Sequence, residues 1–205
     1  MEAGSKGILI GIEGIDAVGK RTQTSILNSW FRSKGYTIRA VSFPDYGTTL
    51  GIEIKKFLLG DRGYPPEVKH MLFAANRWEK KDELESILSR TGIVVVNRYS
   101  ESNLAYGVAN GLKLEWLVNL EAGLPKTDEV IVLDAPPAVL RSRRQRSKDE
   151  YERNVGLQER TREAYLKLAG DFGWKVIDAT KGIETTSQVL INTVSDSLKA
   201  AGRTV

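Results

Sequence analysis

Short apolar runs alternate along the chain with segments of helical periodicity. The apolar runs give five strand candidates, Ile8–Glu13, Ile38–Phe43, Ile93–Asn97, Val130–Asp134 and Lys175–Asp178. Three of these candidates contain continuous aliphatic stretches, which is typical of parallel strands covered by helices on both faces. Because the segments between the strands are long enough for crossover helices, the pattern predicts a doubly wound α/β fold.

Glycines mark several of the predicted helix ends. Gly35, Gly60 and Gly92 each follow a helical stretch, where a glycine can adopt the left-handed conformation that ends a helix. Ligands of such sheets bind beyond the carboxyl ends of the strands. We therefore expect the functional residues to follow strand ends, after Glu13, Phe43, Asn97 and Asp134.

A glycine-rich segment comes directly after the first strand candidate. Its sequence, Gly-Ile-Asp-Ala-Val-Gly-Lys-Arg-Thr over residues 14–22, contains the G-x-x-x-x-G-K pattern in a strand–loop–helix context. Glycines allow backbone N–H groups to wrap an oligophosphate, and the helix N-terminus favours negative charge. The segment predicts a nucleotide-binding site formed by Gly14, Ile15, Asp16, Ala17, Val18, Gly19, Lys20, Arg21 and Thr22.

One position departs from this pattern. The residue after the lysine is commonly Ser or Thr, whose hydroxyl ligates Mg²⁺, whereas this chain has Arg21. A guanidinium cannot ligate a cation. Thr22 lies about 100° further round the helix, and we expect it to meet the α-phosphate instead. Nucleotide binding should therefore survive, with magnesium held mainly by the nucleotide and by other oxygen atoms.

A helical pattern runs from Glu67 to about Ser89. Its apolar stripe predicts a core face, and the stripe consists of Val68, Met71, Leu72, Ala75 and Trp78. Phe73 and Arg77 project on roughly the opposite side, together with His70. An aromatic ring with an arginine four residues on can stack on a flat heteroaromatic ring and donate to a carbonyl at its edge. Packing of Phe73 against a neighbouring helix, with Arg77 as a surface charge, is an equally good interpretation.

Composition narrows the class of protein. The chain has 205 residues, a length suited to one domain over residues 1–205, and its zero cysteines exclude disulfides, thiolate-bound zinc and a cysteine nucleophile. No apolar run reaches the roughly 18 residues of a membrane span, and the first residues lack the hydrophobic stretch of a secretory signal. We expect a soluble, cytoplasmic protein with no membrane partner.

The net charge of +4 is mild, but basic residues cluster between Arg141 and Lys148. A solvated helix surface and a clamp for an anionic ligand both explain the cluster, and charge alone favours the surface.

Taken together, these segments resemble thymidylate kinases. The resemblance covers residues 7–185 and is most specific in the segment Phe73-Ala-Ala-Asn-Arg-Trp-Glu79. It rests also on Glu13 through Gln23, Phe43-Pro44, Asn97-Arg98-Tyr99, Gly123-Leu124-Pro125-Lys126, Gln158-Glu159-Arg160 and Asp178-Ala179-Thr180. It implies ATP-dependent phosphorylation of dTMP to dTDP with Mg²⁺, on the way to dTTP. It also implies a three-layer fold around a five-stranded parallel sheet, a helical lid over about residues 141–153, and a homodimer.

The resemblance assigns expected roles to individual residues. Phe73 would stack on thymine and Arg77 would donate to its O4, which repels the amino donor of cytosine. Arg98 would hold the dTMP phosphate, and Asp16 would accept from the sugar 3′-OH. The remaining residues expected to line the monophosphate site are Phe43, Tyr106, Tyr151 and Gln158. At the position of Tyr106, the family has an aromatic residue that excludes a ribose 2′-OH.

The basic cluster falls on the lid, so the resemblance shifts its interpretation toward function. Because Ala17 stands where some members have an arginine, a lid arginine would supply charge to the transition state. The expected catalytic residues are Lys20, Arg98, Arg143 and Arg144, with Arg141 against adenine and Arg146 facing solvent.

Two further departures concern phosphate and metal. Asn97 stands where the family commonly has an aspartate near the metal, and we name it as a metal ligand through its amide oxygen. Tyr46 stands where some members have a second arginine for the phosphate. The carboxylates Glu13, Asp45 and Asp134 are equally suited to help with metal or to accept structural hydrogen bonds.

Three alternatives stay open from the sequence. The chain suits another deoxynucleotide or nucleoside monophosphate kinase, or a catalytically weakened nucleotide-binding paralogue, which Arg21 and Asn97 suggest. A nucleic-acid-dependent ATPase ranks last, because no aromatic residue interrupts the basic cluster to stack bases. We therefore expect no nucleic-acid partner.

Overall fold

The computed structural model describes residues 7–90, 92–141, 151, 154–200 and 202. Its five strands are β1 (Ile8–Glu13), β2 (Ile38–Ser42), β3 (Ile93–Asn97), β4 (Glu129–Asp134) and β5 (Lys175–Asp178). Its helices over the described residues are α1 (Lys20–Ser33), α2 (Thr49–Leu59), α3 (Pro66–Trp78), α4 (Lys81–Arg90), α5 (Ser100–Ala109), α6 (Leu114–Glu121), α7 (Pro137–Arg141), α8 (Val155–Phe172) and α9 (Ile183–Ala200).

The strands form one parallel sheet in the order β2-β3-β1-β4-β5. Side chains alternate between its two faces, so Ile8, Ile10 and Ile12 belong to one buried cluster whereas Leu9 belongs to the other. Both faces are therefore covered, which explains the continuous aliphatic runs of the central strands. The predicted α/β class and all five strands are confirmed, with bounds that differ by one residue at Phe43 and Glu129.

Two sequence expectations about helices were wrong. The segment predicted as one helix over residues 67–89 is two helices, α3 and α4, separated at Glu79 and Lys80. Gly60 ends α2 in the left-handed conformation at φ 90°, as predicted, but Gly92 does not adopt that conformation. Because the chain enters β3 at Ile93, Gly92 begins an extended segment instead.

The expectation that the apolar stripe of α3 forms its core face was wrong for most of the stripe, of which Leu72 packs against the main core. Met71 and Trp78 are 46% and 41% exposed, and Val68, Leu72 and Ala75 are half-buried. The buried residues of this helix are His70, Ala74, Asn76 and Arg77. The polar side of α3 therefore faces inward, where each of the three polar side chains has a hydrogen-bond partner.

The loop between β2 and α2 is fixed by polar contacts. Asn76 accepts a hydrogen bond from the backbone N–H of Asp45 at 2.8 Å and donates to the Thr48 hydroxyl at 2.8 Å. Thr48 in turn caps α2 by accepting from the Gly51 N–H at 3.0 Å. This arrangement holds the residues after β2 at the carboxyl end of the sheet.

None of the helices over the described residues has both the length and the apolar character that a membrane crossing requires.

Gly51 is required for this loop, because a Cβ atom there would lie 1.8 Å from the Asp45 carbonyl oxygen. We expect Gly51→Ala to lower the free energy of unfolding by about 3 kcal/mol, the upper range of overpacking, as measured by urea denaturation. Gly63→Ala is the control, since a Cβ at Gly63 would meet nothing within 4 Å. Equal stability of the two variants would contradict the close approach.

Candidate active site

The glycine-rich loop has the backbone geometry of a phosphate cradle. Gly14 and Gly19 have φ values of 128° and 108°, and Ala17 also lies in the left-handed region at φ 64°. A Cβ at Gly14 would lie 2.4 Å from the Leu133 carbonyl oxygen, so this position accepts only glycine. Ile15 and Val18 are buried in the core, and they can contribute to phosphate binding only through their backbone.

Lys20 begins α1 and is almost fully buried. Its ammonium donates to the carbonyl oxygens of Gly14 and Ile15, each at 2.8 Å. The positive charge is thus held inside the loop, next to the N–H groups at the start of α1. Both the charge and the helix N-terminus favour an anion at this place.

An ion pair joins the loop to the end of β3. Asp16 Oδ1 accepts from Arg98 Nη2, and Asp16 Oδ2 accepts from the Tyr106 hydroxyl at 3.0 Å and from Gln158 Nε2 at 3.1 Å. The Gln158 Oε1 atom accepts from the Asp16 N–H at 3.2 Å, so Gln158 holds both ends of this residue. Arg98 itself has a left-handed backbone conformation at φ 62°, a strain of the kind that occurs at functional sites.

The electrostatics of this pair favour the charged forms of both side chains. Burial alone would raise the pKa of Asp16, but Arg98 and Lys20 lower it well below its ordinary value. Burial raises the pKa of the Tyr106 hydroxyl, which therefore stays protonated and can donate. The site thus combines a fixed carboxylate, a fixed guanidinium and a neutral phenol at neutral pH.

A cavity of about 260 Å³ opens beside the ion pair. Asp16 and Arg21 of the phosphate loop line one end of it, and Phe73 and Arg77 of α3 line another part. The predicted site residues that the cavity brings together are Asp16, Arg21, Phe43, Phe73, Arg77, Asn97, Arg98, Tyr106 and Tyr151. A ligand in this cavity would therefore touch the phosphate loop, the end of β3 and the inner face of α3.

The aromatic side chains of the cavity pack against one another. Phe73 lies 5.4 Å from Phe57 in an edge-to-face arrangement, and Tyr151 stacks on Tyr106 at 5.6 Å. Phe73 thus packs on a neighbouring helix and also lines the cavity, where its stacking on a ligand ring stays a prediction. The alternative interpretation of Arg77 as a surface charge was wrong, since its side chain is only 3% exposed.

The three carboxylates considered for metal binding have structural partners. Glu13 accepts from the Tyr99 N–H, Ser102 and Tyr165, and Asp134 makes a bidentate pair with Arg162 at 2.7 and 2.8 Å. Asp45 pairs with Lys80 at 3.1 Å. In the described part of the chain, no group of three or more His, Asp or Glu residues is arranged to hold a metal ion.

Asn97 differs from these carboxylates. Asn97 lines the same cavity, and its side-chain oxygen is buried at the end of β3 with no hydrogen-bond partner among the described residues. An amide oxygen without a partner is a suitable ligand for a hard cation. Asn97 is therefore a residue that could hold a Mg²⁺ ion.

The residues predicted for the lid begin at Arg141. Arg141 is exposed at the end of α7. The predicted lid arginines Arg143, Arg144 and Arg146 lie outside the described residues, as does most of the lid over residues 141–153.

Sequence reasoning gave no role to three residues at the cavity. His70, Asn103 and Glu121 form a buried hydrogen-bonded chain that ends at Arg77, and His70 and Asn103 line the cavity. The sequence of α3 held no signal for them, because polar residues opposite an apolar stripe are the usual pattern of a surface helix.

Comparison with known proteins agrees with this geometry. Residues 12–190 match the family model described as Thymidylate kinase. A thymidylate kinase from Arabidopsis thaliana is 35% identical over 95% of this chain and 73% of its own length. A probable thymidylate kinase from Thermococcus kodakarensis is 37% identical over 90% of this chain and 95% of its own length. The solved thymidylate kinase from Candida albicans superposes with a TM-score of 0.77 at 28% identity, covering 94% of each chain.

Proposed function

The chain belongs to the thymidylate kinase family and is a kinase that phosphorylates dTMP, and we propose that the cavity beside Arg98 holds dTMP while the glycine-rich loop holds ATP. The observation that carries this proposal is the shared wall between the two sites. Asp16 and Arg21 belong to the loop and also line the cavity, so a phosphate in the loop and a phosphate in the cavity would meet end to end.

The donor side uses the loop backbone and Lys20. The N–H groups of residues 14–20 surround the β-phosphate, and Lys20 neutralises charge on the β- and γ-phosphates. Lys20 exchanges its bonds to the loop carbonyls for bonds to phosphate oxygens, which lie close to the same position. Arg141, exposed at the end of α7, is available to lie against adenine.

The acceptor side uses Arg98 at one end of the cavity and α3 at the other. Arg98 grips the dTMP phosphate and directs one of its oxygen atoms toward the γ-phosphate. Asp16 stays ionised beside Arg98 and accepts from the 3′-OH, and Tyr106 fills the space that a ribose 2′-OH would need. Phe73 stacks on thymine, and Arg77 donates to O4. The buried Phe43 and Tyr151 close the site, and Gln158 positions Asp16.

The protein catalyses phosphoryl transfer mainly by neutralising charge and by aligning the two substrates, because it takes little part in the covalent chemistry. Lys20 and Arg98 provide positive charge from two sides of the transferring group. Arg143 or Arg144 of the lid provides the charge that Ala17 cannot, and closure of the lid excludes water.

Magnesium would act in the same phosphoryl-transfer step. When bound, Mg²⁺ would neutralise charge on the ATP phosphates, and Asn97 is the residue that would hold it. Because an amide oxygen binds the ion without the charge of an aspartate, retention of magnesium by the protein should be weak. The Arg21 guanidinium lines the same cavity and offsets part of the phosphate charge.

We also propose that the protein is a homodimer, because the apolar stripe of α3 lies on the surface. Met71 and Trp78 are exposed there, and Val118 of the adjacent helix α6 is 42% exposed. Exposed apolar residues on two adjacent helices suit an interaction surface. A second copy of the chain packing its own α3 against this one would bury both stripes.

The substrate assignment predicts a clear order among monophosphates. In a coupled assay for ADP with ATP and Mg²⁺, we expect kcat/KM to be highest for dTMP. It should be about tenfold lower for dUMP, which lacks the methyl group, and at least about a hundredfold lower for dCMP, whose amino group meets the donor Arg77. Faster turnover of dUMP or dCMP would contradict the roles of Phe73 and Arg77. Tight binding of ATP and dTMP without turnover would indicate a weakened paralogue.

The proposed role of Arg21 predicts a change in magnesium dependence. Arg21→Ser removes a full positive charge, a larger change at the phosphates than the neutral hydroxyl ligand that it adds, so we expect activity at low Mg²⁺, relative to saturating Mg²⁺, to fall about tenfold. Magnesium-free binding of ATP, measured by calorimetry, should weaken as well. Arg32→Ser, at the other end of α1, is the control and should behave like the native chain. Identical magnesium requirements for Arg21→Ser would count against the proposal.

The dimer proposal predicts that a charged substitution in the apolar stripe of α3 makes the protein a monomer. We expect Met71→Glu to reduce the sedimenting mass from that of two chains to that of one, because burial of an unpaired carboxylate opposes association. Val189→Glu changes an equally exposed apolar residue on α9 and should leave the mass unchanged. A native chain that sediments as a monomer at micromolar concentration would refute the dimer.

A further inference from the structure

A buried chain of polar groups runs along the wall of the cavity, which His70, Asn103 and Arg77 line, and Glu121 lies behind them. Arg77 Nε donates to Glu121 Oε2 at 2.8 Å, and Arg77 Nη2 donates to Glu121 Oε1. Glu121 Oε1 also accepts from Asn103 Nδ2 at 2.7 Å, and Asn103 Oδ1 lies 2.6 Å from His70 Nδ1. His70 is fully buried and Asn103 is 2% exposed.

The partners of Asn103 determine the orientation of its amide. Its Nδ2 atom faces two acceptors, the Glu121 carboxylate and the His70 carbonyl oxygen, the latter at 3.3 Å. An amide oxygen in that position would face two other oxygen atoms without a hydrogen between them. The atom facing the imidazole is therefore the oxygen, and an oxygen cannot donate.

This orientation in turn determines the tautomer of His70. Because Asn103 Oδ1 can only accept, His70 Nδ1 must carry a hydrogen and donate. Asn110 Nδ2 lies 3.1 Å from His70 Nε2 and donates to that nitrogen, which is unprotonated in the neutral ring. His70 is thus a neutral imidazole with its proton on Nδ1, and each ring nitrogen has one partner.

Charge and burial agree with the neutral form. Desolvation is the largest influence and lowers the pKa of His70 to about 4, although Asn103 and Glu121 favour protonation, while Arg77 and Lys69 oppose it. The imidazole therefore does not change charge between pH 5 and pH 8, and its donor and acceptor atoms stay assigned across the physiological range.

On the basis of the proposed dTMP site, we propose that His70 is a positioning residue that sets the preference for thymine over cytosine through Asn103, Glu121 and Arg77. The Nδ1–H group holds the Asn103 oxygen away from Glu121, so that Glu121 faces only donors. Glu121 then occupies Nε and Nη2 of Arg77, and the guanidinium is held in one orientation against the cavity. The remaining N–H groups of Arg77 can donate to O4 of thymine. Because the guanidinium is fixed, it cannot reorient to avoid the amino group of cytosine.

Without the Nδ1–H donor, the buried Asn103 Oδ1 atom loses its hydrogen-bond partner. The amide then shifts toward another donor, which loosens the hydrogen bond from Asn103 Nδ2 to Glu121 and, with it, the hold of Glu121 on Arg77. An Arg77 guanidinium that is no longer fixed by Glu121 discriminates less well between thymine and cytosine. The expected consequence is a higher KM for dTMP and a smaller difference between dTMP and dCMP, with less effect on kcat.

The first test is spectroscopic and needs no mutation, because the chain has one histidine. Untagged protein labelled with ¹⁵N-histidine should give one pair of imidazole nitrogen signals, with the proton on Nδ1 and no titration between pH 5 and pH 8. Signals of the Nε2–H tautomer, or a titration near pH 6.5, would overturn the inference.

The second test is kinetic and compares His70→Asn with His70→Leu, two side chains of similar size. His70→Asn keeps an N–H donor near the Nδ1 position and should retain the native ratio of kcat/KM for dTMP to that for dCMP. His70→Leu has no donor, and we expect that ratio to fall about tenfold, mainly through KM for dTMP. Rescue by Asn but not by Leu supports positioning through the hydrogen bond.

The outcomes separate this inference from the proposed function. If the native chain prefers dTMP and His70→Leu lowers kcat/KM equally for both substrates, His70 has only a structural role and the inference fails alone. If the native chain shows no preference for dTMP, the proposed base site fails, and the selectivity assigned to His70 fails with it. If His70→Leu does not fold, the tautomer measurement and the ratio for His70→Asn still decide the inference.

Discussion

The pairing of Asp16 with Arg98 is the interaction on which the rest of the site depends. One partner belongs to the phosphate loop after β1 and the other follows β3, and β1 and β3 are neighbours in the sheet. Each charge would be costly alone, because the surrounding residues exclude most of the water. The pair therefore fixes the loop relative to the cavity, and it would hold the proposed ATP and dTMP sites next to each other.

The sheet and the phosphate loop could be predicted because their signals are local. Continuous aliphatic residues such as Val94, Val95 and Val96 require burial on both faces, and only a parallel sheet under two helical layers provides that burial. The spacing of Gly14, Gly19 and Lys20 follows from the size of a phosphate and from the geometry of a helix N-terminus. Both signals depend on residues close together in the chain, so the sequence alone contains them.

The orientation of α3 could not be predicted in the same way. Periodicity distinguishes an apolar face from a polar face, but it does not say which face points inward. Here the polar face is buried because α5 and α6 supply partners, Asn103 for His70 and Glu121 for Arg77. These partners lie 33 and 44 residues away in the chain, and nothing in the sequence of α3 indicates them. Partial exposure of the apolar face is then consistent with contact between two copies of the chain.

Arg21 and Asn97 show how two departures from a family pattern can be connected. Arg21 adds a positive charge where the family has a neutral hydroxyl residue, and Asn97 removes the negative charge of an aspartate. Both changes therefore make the site more positive. A more positive cavity attracts phosphates more strongly and repels a divalent cation. The two residues line the same cavity, so their effects act on the same phosphates. Under the proposed function, these two residues would transfer part of the charge neutralisation from the metal to the protein, and phosphoryl transfer would then depend less on how tightly the protein holds magnesium.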